Sequence, residues 1–290
     1  MKKRPATDRK PRRSAVRGLA SFADYLLLTV AVSLYISPVL FMVVGSLKPD
    51  DQVLAQAGSL RAFVPSGGSL QNYRDVFARV EFGRYMLNSI FITSTTVIGG
   101  LVVNSMAGYA FARLKWKGRS VLFSLVLALM ILPLEAIAVP LFYQVTLLGW
   151  RDTYTAQIIP FIANAFSVYL FYTFFIGMPR ELEEAARVDG AGLFRTFLEI
   201  MLPNAKSVFA SVAIITFLLN WGFFLWPQII TSTARARPLP VAIATFYTLP
   251  PLKWGDIMAF GVMMVAPVLV VFVLFQKWFV RGIARSGIKG

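Results

Sequence analysis

Long apolar runs separated by short polar segments dominate the chain. A bilayer core requires about 20 mostly apolar residues per spanning helix. Because lipid offers the backbone no hydrogen-bond partners, each such run is expected to be helical. The pattern predicts an all-α membrane protein with six transmembrane helices, at roughly 22–46, 86–112, 120–142, 154–177, 205–228 and 257–280.

Composition supports a membrane protein. The chain has 290 residues, of which 57% are hydrophobic and 15% charged, whereas soluble domains carry about 25% charged residues. The first apolar run, from Tyr25 to Leu47, is too long for the core of a signal peptide, and no small-residue cleavage site follows it closely. We therefore expect it to be retained as a span.

Basic residues predict the orientation. They crowd into the N-terminal tail, the connection at 113–119 and the C-terminus, whereas the loops of the opposite side are nearly balanced in charge. Such an excess marks the cytoplasmic side, so both termini are predicted to be cytoplasmic. Residues 1–20 form the predicted basic tail, and residues 21–290 the six-helix domain. The net charge of +15 is also compatible with nucleic-acid binding, but a tail lying near anionic lipid fits better.

The absence of two residue types limits the chemistry. The chain has no cysteine and no histidine, which removes thiol nucleophiles, Ser-His-Asp triads and most zinc sites. It also lacks the Gly-x-x-x-x-Gly-Lys loop that binds ATP phosphates. We therefore expect neither an enzyme nor an ATP-binding chain.

Residues 178–203, called the coupling segment below, lie between the fourth and fifth spans. Pro179 suits a helix start, Glu183 and Arg187 are spaced as an i,i+4 pair, and Gly190 suits a left-handed helix exit. A second short helix is expected to carry its apolar residues on one side and to stop at Pro203, after which Asn204 can cap the fifth span.

The coupling segment is acidic on a side where loops should be basic. Its five acids lie at positions 181, 183, 184, 189 and 199, which departs from the positive-inside pattern. Adjacent alanines beside a glutamate would let the helix press into a groove of a partner protein. An amphipathic connector lying on the membrane surface is the alternative, and local rules leave both open.

The spacing Glu184-Ala185-Ala186-x3-Gly190-x9-Ile200-x-Leu202-Pro203 resembles the EAA signature of binding-protein-dependent ABC importer permeases. Several other segments resemble the carbohydrate branch of that family, in particular its maltose-type MalG subunits and its UgpE-like glycerol-3-phosphate permeases. These segments are Met130–Pro133 with Pro140, Leu148–Gly149 with Asp152–Tyr154, Pro179–Ala191, Asn220–Trp221 with Pro227, and Gly287–Gly290.

The resemblance implies an ABC importer permease fold and a set of partners. A homologous second permease subunit, two ATP-binding subunits and an external solute-binding protein are expected, in a bacterial cytoplasmic (inner) membrane. ATP and Mg²⁺ would be bound by the ATPases, and this chain would need no cofactor. The ATPase-coupling residues implied are Glu184, Ala185, Ala186, Gly190, Ile200, Leu202 and Pro203.

The resemblance also implies a cargo, most plausibly a sugar or oligosaccharide, which amides and aromatic faces recognise well. Polar residues at membrane depth are costly unless they face protein or a water-filled cavity. The predicted substrate-path residues are therefore Asn220, Trp221, Trp226, Asn104 and Glu135, with helix-to-helix hydrogen bonding as the alternative role for the amides. Gly100, Asn104 and Gly108 form a candidate close-packing stripe.

Two alternatives stay open. The same machinery could import a polyol, a glycosylglycerol or a glycerol phosphate. A stand-alone secondary transporter is disfavoured, because such proteins need membrane-embedded carboxylates and often contain inverted repeats. Asp24 lies at the start of the first predicted span, Glu135 is the one acid in the interior of a predicted span, and no internal repeat is visible.

Overall fold

The computed structural model describes the backbone of residues 11–287 and the side chains of residues 23–275. Regular structure in this part of the chain is entirely helical. Much of the predicted basic tail, and Ile288–Gly290, lie outside the described residues. The first eight helices are α1 (Pro11–Ser46), α2 (Asp50–Ala55), α3 (Gln71–Arg79), α4 (Phe82–Arg113), α5 (Arg119–Leu129), α6 (Leu134–Leu147), α7 (Tyr154–Ile162) and α8 (Ala165–Ile176).

The later helices are mostly shorter, apart from α12 and α15. A π-helical turn, Phe197–Met201, lies between α10 and α11. The helices are α9 (Glu181–Val188), α10 (Leu193–Thr196), α11 (Leu202–Asn204), α12 (Lys206–Trp221), α13 (Leu225–Ile230), α14 (Leu239–Ala242) and α15 (Trp254–Gly287).

Four helical segments of the described chain are long and apolar enough to cross a membrane. Two bent helix pairs raise this number to as many as six if each pair is one span. The four segments fall on the first, second, fourth and sixth predicted runs: Ala23–Ser46, Phe82–Arg113, Tyr154–Ile176 and Trp254–Phe275.

The third and fifth runs differ from the single helices that were predicted. The third is broken between α5 and α6, which meet at 103°. The break falls at Pro133, which cannot donate a backbone hydrogen bond and disfavours helical geometry at the residue before it. In the fifth run, α12 ends at Trp221 and is bent by 79° from the Leu193–Asn204 helix before it.

The chain divides into two compact units. The first contains the chain up to Asp75 together with Lys253–Val262. Side-chain hydrogen bonds hold its loop after α1: the buried Lys48 ammonium donates to the carbonyl oxygens of Arg61 (2.6 Å) and Ala62 (3.2 Å). The helix α3, Gln71–Arg79, follows this loop.

The second unit, Val76–Leu252 with the chain from Met263 onward, is built around α4. This helix packs against α7, α8 and α12. Tyr109 of α4, Phe175 of α8, Phe197 and Met201 belong to one buried apolar cluster, which continues into α12. The core of the membrane helices therefore extends directly into the coupling segment.

Candidate functional site

The helix α9 of the coupling segment has well-defined ends. Its first turn carries Glu181, Glu183 and Glu184, where negative charge is favoured by the helix dipole. At the other end Gly190 has φ +77°, and its N–H donates to the Arg187 carbonyl at 3.0 Å. The Ala191 N–H donates to the Ala186 carbonyl at 2.9 Å. These two bonds form a Schellman motif, so the predicted left-handed exit is confirmed.

Glu183 is paired with a different residue from the one predicted. Its Oε1 lies 3.9 Å from Nε of Arg113, at the end of α4, and the two side chains are only 9% and 5% exposed. Arg113 also donates to the carbonyl oxygen of Met178. The prediction of a Glu183–Arg187 pair is wrong, because a buried cation from another helix outcompetes a solvated neighbour on α9.

The two alanines of α9 face in different directions. Ala186 is 2% exposed and packs inside the chain, whereas Ala185 and Glu184 are exposed. Val188 is 88% exposed, which is unusual for a valine. One face of α9 is therefore fixed to the membrane helices, while the other presents an acidic and apolar surface.

The second helix of the coupling segment continues through the π turn and α11. Phe197 and Met201 are buried, whereas Leu193, Phe194 and Leu198 are exposed. Leu193, Phe194 and Phe197 nevertheless line one cavity with Tyr109 of α4, so these three lie on the same side of the helix. The π turn, Phe197–Met201, begins at the last of these three residues.

The end of this segment also differs in detail. Ile200 and Leu202 are half-buried, and Pro203 is exposed within α11. The Asn204 side-chain amide donates back to the Ile200 carbonyl at 2.7 Å, and α12 begins after Ala205. The predicted capping of the fifth span by Asn204 is therefore wrong, because its side chain bonds to the preceding turn.

Two of the predicted substrate-path residues are held in the interior. The Trp226 side chain is fully buried, and its indole Nε1 donates to the Ala156 carbonyl at 2.9 Å. Asn104 donates to the Ile162 carbonyl and accepts from the Asn164 N–H, both at 2.9 Å. Asn104 thus satisfies the backbone where α7 and α8 are interrupted.

The other three predicted path residues border a cavity or are exposed to solvent. Trp221 lines an apolar groove of about 570 Å³ with residues of α4 and α15, and its indole donates to the Met264 carbonyl at 3.0 Å. Asn220 lines a small cavity and donates to Thr216 O of its own helix at 2.8 Å. Glu135 is exposed in the first turn of α6, at the bend of the third run.

A polar framework around residues 231–239 was not predicted. Asn88 donates to the carbonyls of Ala234 (3.1 Å) and Arg237 (2.9 Å), and it accepts from the Tyr154 hydroxyl at 2.7 Å. Gln157 donates to the Ala236 carbonyl at 2.7 Å. Amides in otherwise apolar helices were the available signal, but their backbone partners lie more than 70 residues away in the chain.

Asp152 secures the start of the same segment. Its carboxylate accepts from the Ser232 N–H at 3.0 Å, from the Thr233 N–H at 3.2 Å and from the Thr233 hydroxyl at 2.6 Å. Ordinary carboxylates cap turns in this way. The 231–239 segment is therefore tied to α4 and α7 by side chains of both helices.

Sequence comparison supplies the family. Residues 100–285 match the family of the "Binding-protein-dependent transport system inner membrane component". The arabinooligosaccharides transport system permease protein AraQ of Halalkalibacterium halodurans is 34% identical, over 87% of this chain and 91% of that protein. The sn-glycerol-3-phosphate transport system permease protein UgpE of Yersinia pestis bv. Antiqua is 32% identical, over 93% of this chain and 98% of that protein.

The fold agrees with this assignment. The structure resembles a chain from the crystal structure of a bacterial ABC transporter involved in the import of the acidic polysaccharide alginate, with a TM-score of 0.81. The likeness covers 95% of this chain and all of that one at 22% identity. The chain therefore belongs to the family of binding-protein-dependent transport system inner membrane components, and it is a multi-pass permease subunit of an ABC importer rather than an enzyme.

Proposed function

We propose that this permease subunit imports a sugar or oligosaccharide. The names of its relatives support a carbohydrate or a glycerol phosphate. The scarcity of basic residues within the apolar runs favours an uncharged sugar over a phosphate-bearing molecule, because a desolvated phosphate needs cationic partners. A polyol, glycosylglycerol or glycerol phosphate is the alternative cargo, and screening the cognate binding protein against both classes separates them.

In the proposed topology the chain crosses a bacterial cytoplasmic (inner) membrane six times, with both termini in the cytoplasm. The pair α5 and α6 then counts as one span, and α12 begins the fifth span, while Leu193–Asn204 belongs to the cytoplasmic coupling segment. Residues 1–20 act as a basic cytoplasmic tail and residues 21–290 as the permease domain. The connection at 113–119 and the coupling segment lie together on the cytoplasmic side, which the excess of Lys and Arg supports.

In the proposed assembly the chain pairs with a homologous permease subunit, two ATPase subunits and an external binding protein. The observation that carries this proposal is α9, an acidic helix with one face fixed by Arg113 and the other exposed. Its exposed face docks into an ATPase, where Glu184 pairs with a basic residue and Ala185 allows close approach. Gly190 sets the turn, and ATP and Mg²⁺ are bound in the ATPases.

The second helix of the coupling segment transmits the motion. Ile200, Leu202 and Pro203 follow Phe197, which shares a buried cluster with Tyr109 and Phe175. Movement of the docked α9 therefore displaces packed side chains of the membrane helices, which switches the path between inward-open and outward-open states. Such coupling needs a rigid element with two arrangements, and a packed core provides one.

The proposed cargo contacts are Asn220, Trp221 and Glu135. Glu135 is exposed and therefore accessible to a passing solute. Asn220 and Trp221 border cavities, but Trp221 is only 5% exposed, so contact with the cargo requires their helix, α12, to move. Asn104 and Trp226 do not contact the cargo in this proposal. They hold the backbone that surrounds the path, by hydrogen bonds to the carbonyls of Ile162 and Ala156 respectively.

Replacing Glu184 by lysine tests the coupling proposal. We expect Glu184→Lys to abolish binding-protein-stimulated uptake by the purified complex in proteoliposomes while the permease still assembles, because the docked face of α9 then repels a basic partner. Glu181→Lys makes the same charge change at an exposed position of α9 outside the matched pattern, and it should retain most uptake. Normal transport by Glu184→Lys would contradict the proposal.

A second measurement distinguishes an ATP-driven importer from a stand-alone secondary transporter. ATP hydrolysis should appear only when the partner ATPases are present and should rise when liganded binding protein is added. Solute uptake by the lone chain in proteoliposomes, driven by a proton or sodium gradient, would contradict the proposal.

A further inference from the structure

A basic cavity lies beside α9, and of the residues assigned to coupling above only Glu184 borders it. Its volume is about 600 Å³, and it is enclosed by the end of α4, the start of α5, the end of α8 and α9, all within the second unit. Trp116 lines its wall. The cations that line it are Arg113, Lys115, Arg119, Arg180 and Arg187.

Most of this positive charge is uncompensated. The acids in the lining are Glu183 and Glu184, against those five cations. Glu183 is the neighbour of Arg113, and Arg119 donates to the Leu114 carbonyl at 2.9 Å. Among the described residues, the side chains of Lys115, Arg180 and Arg187 have no hydrogen bond or ion pair. The cavity therefore attracts an anion with several acceptor oxygens.

The cavity lies where three apolar helices begin or end. Arg113 ends one apolar helix, Arg119 begins another, and Ile176 ends a third. The ends of membrane-spanning helices mark the interface between hydrocarbon and water, where aromatic side chains such as Trp116 also collect. Directly beyond the cavity, α5 exposes Val121, Leu122 and Leu125, a surface suited to an acyl chain.

We propose that this cavity binds the phosphate group of an anionic phospholipid, with the acyl chains along the exposed face of α5. Basic pockets between spanning helices bind acidic headgroups by this chemistry. A free phosphate ion would use the same cations but not the apolar face of α5. An acidic segment of an ATPase subunit would likewise leave that face unused, so the lipid fits the combined surface best.

Native mass spectrometry of the delipidated complete complex tests the proposal. Dioleoyl phosphatidylglycerol is titrated into wild type and into a Lys115→Gln/Arg180→Gln double variant, with dioleoyl phosphatidylcholine as the neutral reference. Each cation near a lipid surface changes binding by about 5-fold, so the double variant should bind phosphatidylglycerol about 25-fold more weakly at one site per complex. Lys117→Gln is the matched control, because Lys117 is exposed in the same loop and does not line the cavity.

Several outcomes would overturn the proposal. Equal phosphatidylglycerol binding by wild type and the double variant would show that the cavity does not bind the lipid. If Lys117→Gln weakened phosphatidylglycerol binding as much as the double variant does, the binding would depend on general surface charge and not on this cavity. Displacement of the lipid by low-millimolar inorganic phosphate would identify a free ion as the occupant. Lipid binding that appears only after the ATPases are removed would assign the cavity to the ATPase interface. An unchanged melting temperature of the double variant shows that lost binding is not lost folding.

Discussion

Small residues on α4 set its distance from α8. A Cβ atom added at Gly108 would lie 2.5 Å from Cβ of Phe171 and 2.9 Å from the Tyr172 backbone nitrogen. Neither contact can be relieved by rotating a flexible side chain. With Asn104 one turn earlier and Gly100 two turns earlier, Gly108 forms the predicted close-packing stripe, which matches how membrane helices associate through small residues.

Gly108→Ala should weaken this contact. Overfilling a packed interface costs about 1–3 kcal/mol, so the apparent melting temperature of the purified complex is expected to fall. Gly83→Ala is the control, because Gly83 lies on the same helix with no heavy atom within 4 Å of an added Cβ. Equal melting temperatures for Gly108→Ala and Gly83→Ala would contradict the assigned packing.

The hydrogen bonds that the Asp152 carboxylate accepts from Ser232 and Thr233, called the Asp152 clasp below, should depend on pH in a predictable way. Partial burial alone would raise the pKa of Asp152, but the hydrogen bonds from Thr233 and Ser232, with the charge of Arg237, outweigh it and hold the pKa below the usual 3.8. A lowered folded-state pKa stabilises the fold above pH 3.8, and this stabilisation disappears as the pH falls through the folded-state value.

Asp152→Ala should therefore lower the melting temperature at neutral pH. The difference from wild type is expected to stay constant down to about pH 5, to begin shrinking near the unfolded-state pKa of about 4, and to vanish only below the lowered folded-state pKa. Melting curves of both proteins between pH 7 and pH 3 measure this. A difference that persists unchanged at pH 3 would show that the clasp does not depend on the carboxylate charge.

At the scale of elements, α9 is held by Arg113 of α4 through Glu183 and the Met178 carbonyl. Removing one partner of a buried ion pair is costly, because the other charge stays buried without compensation. Exposed pairs contribute much less. The attachment of α9 to the membrane helices thus depends on this one buried pair and on the packing of Ala186.

Arg113→Met should destabilise the permease by about 3 kcal/mol, measured as a fall in melting temperature. Adding Glu183→Leu should recover most of that loss, because the double variant leaves no buried charge. Arg84→Met is the control: its pair with Glu81 is more than half exposed, and its removal should cost about 0–1 kcal/mol. No recovery in the double variant would show that Arg113 acts through the Met178 carbonyl instead.

These elements also show what local sequence can predict. The Gly190 exit was predictable, because a left-handed helix end depends on a glycine and its immediate neighbours. The partner of Glu183 was not, because Arg113 lies 70 positions earlier and meets it only through tertiary packing. Pro133 was a local indication of the bend, because proline disfavours helical geometry at the residue before it. The break was not predicted, because the hydrophobic run continues through the proline without interruption.

At the scale of the whole molecule, orientation rests on the distribution of charge. The apolar runs are detectable from sequence alone because lipid demands them. Their sidedness follows from Lys and Arg in short loops, although the coupling segment departs from that rule with five acids. The proposed docking of α9 would account for these acids, and the positive-inside rule tolerates them because acids contribute little to it.

The proposed topology places Lys117 and Arg187 on one side of the membrane and Ser232 on the other. All three are exposed, and the chain has no native cysteine, so single cysteines introduced at each position can be labelled against a silent background. In right-side-out vesicles, a membrane-impermeant maleimide should react at once with Ser232→Cys. Lys117→Cys and Arg187→Cys should react only after permeabilisation, with Arg187→Cys measured without the ATPases that would cover α9. Opposite labelling of Lys117→Cys and Arg187→Cys would contradict the topology, because an odd number of spans would then separate α4 from the coupling segment.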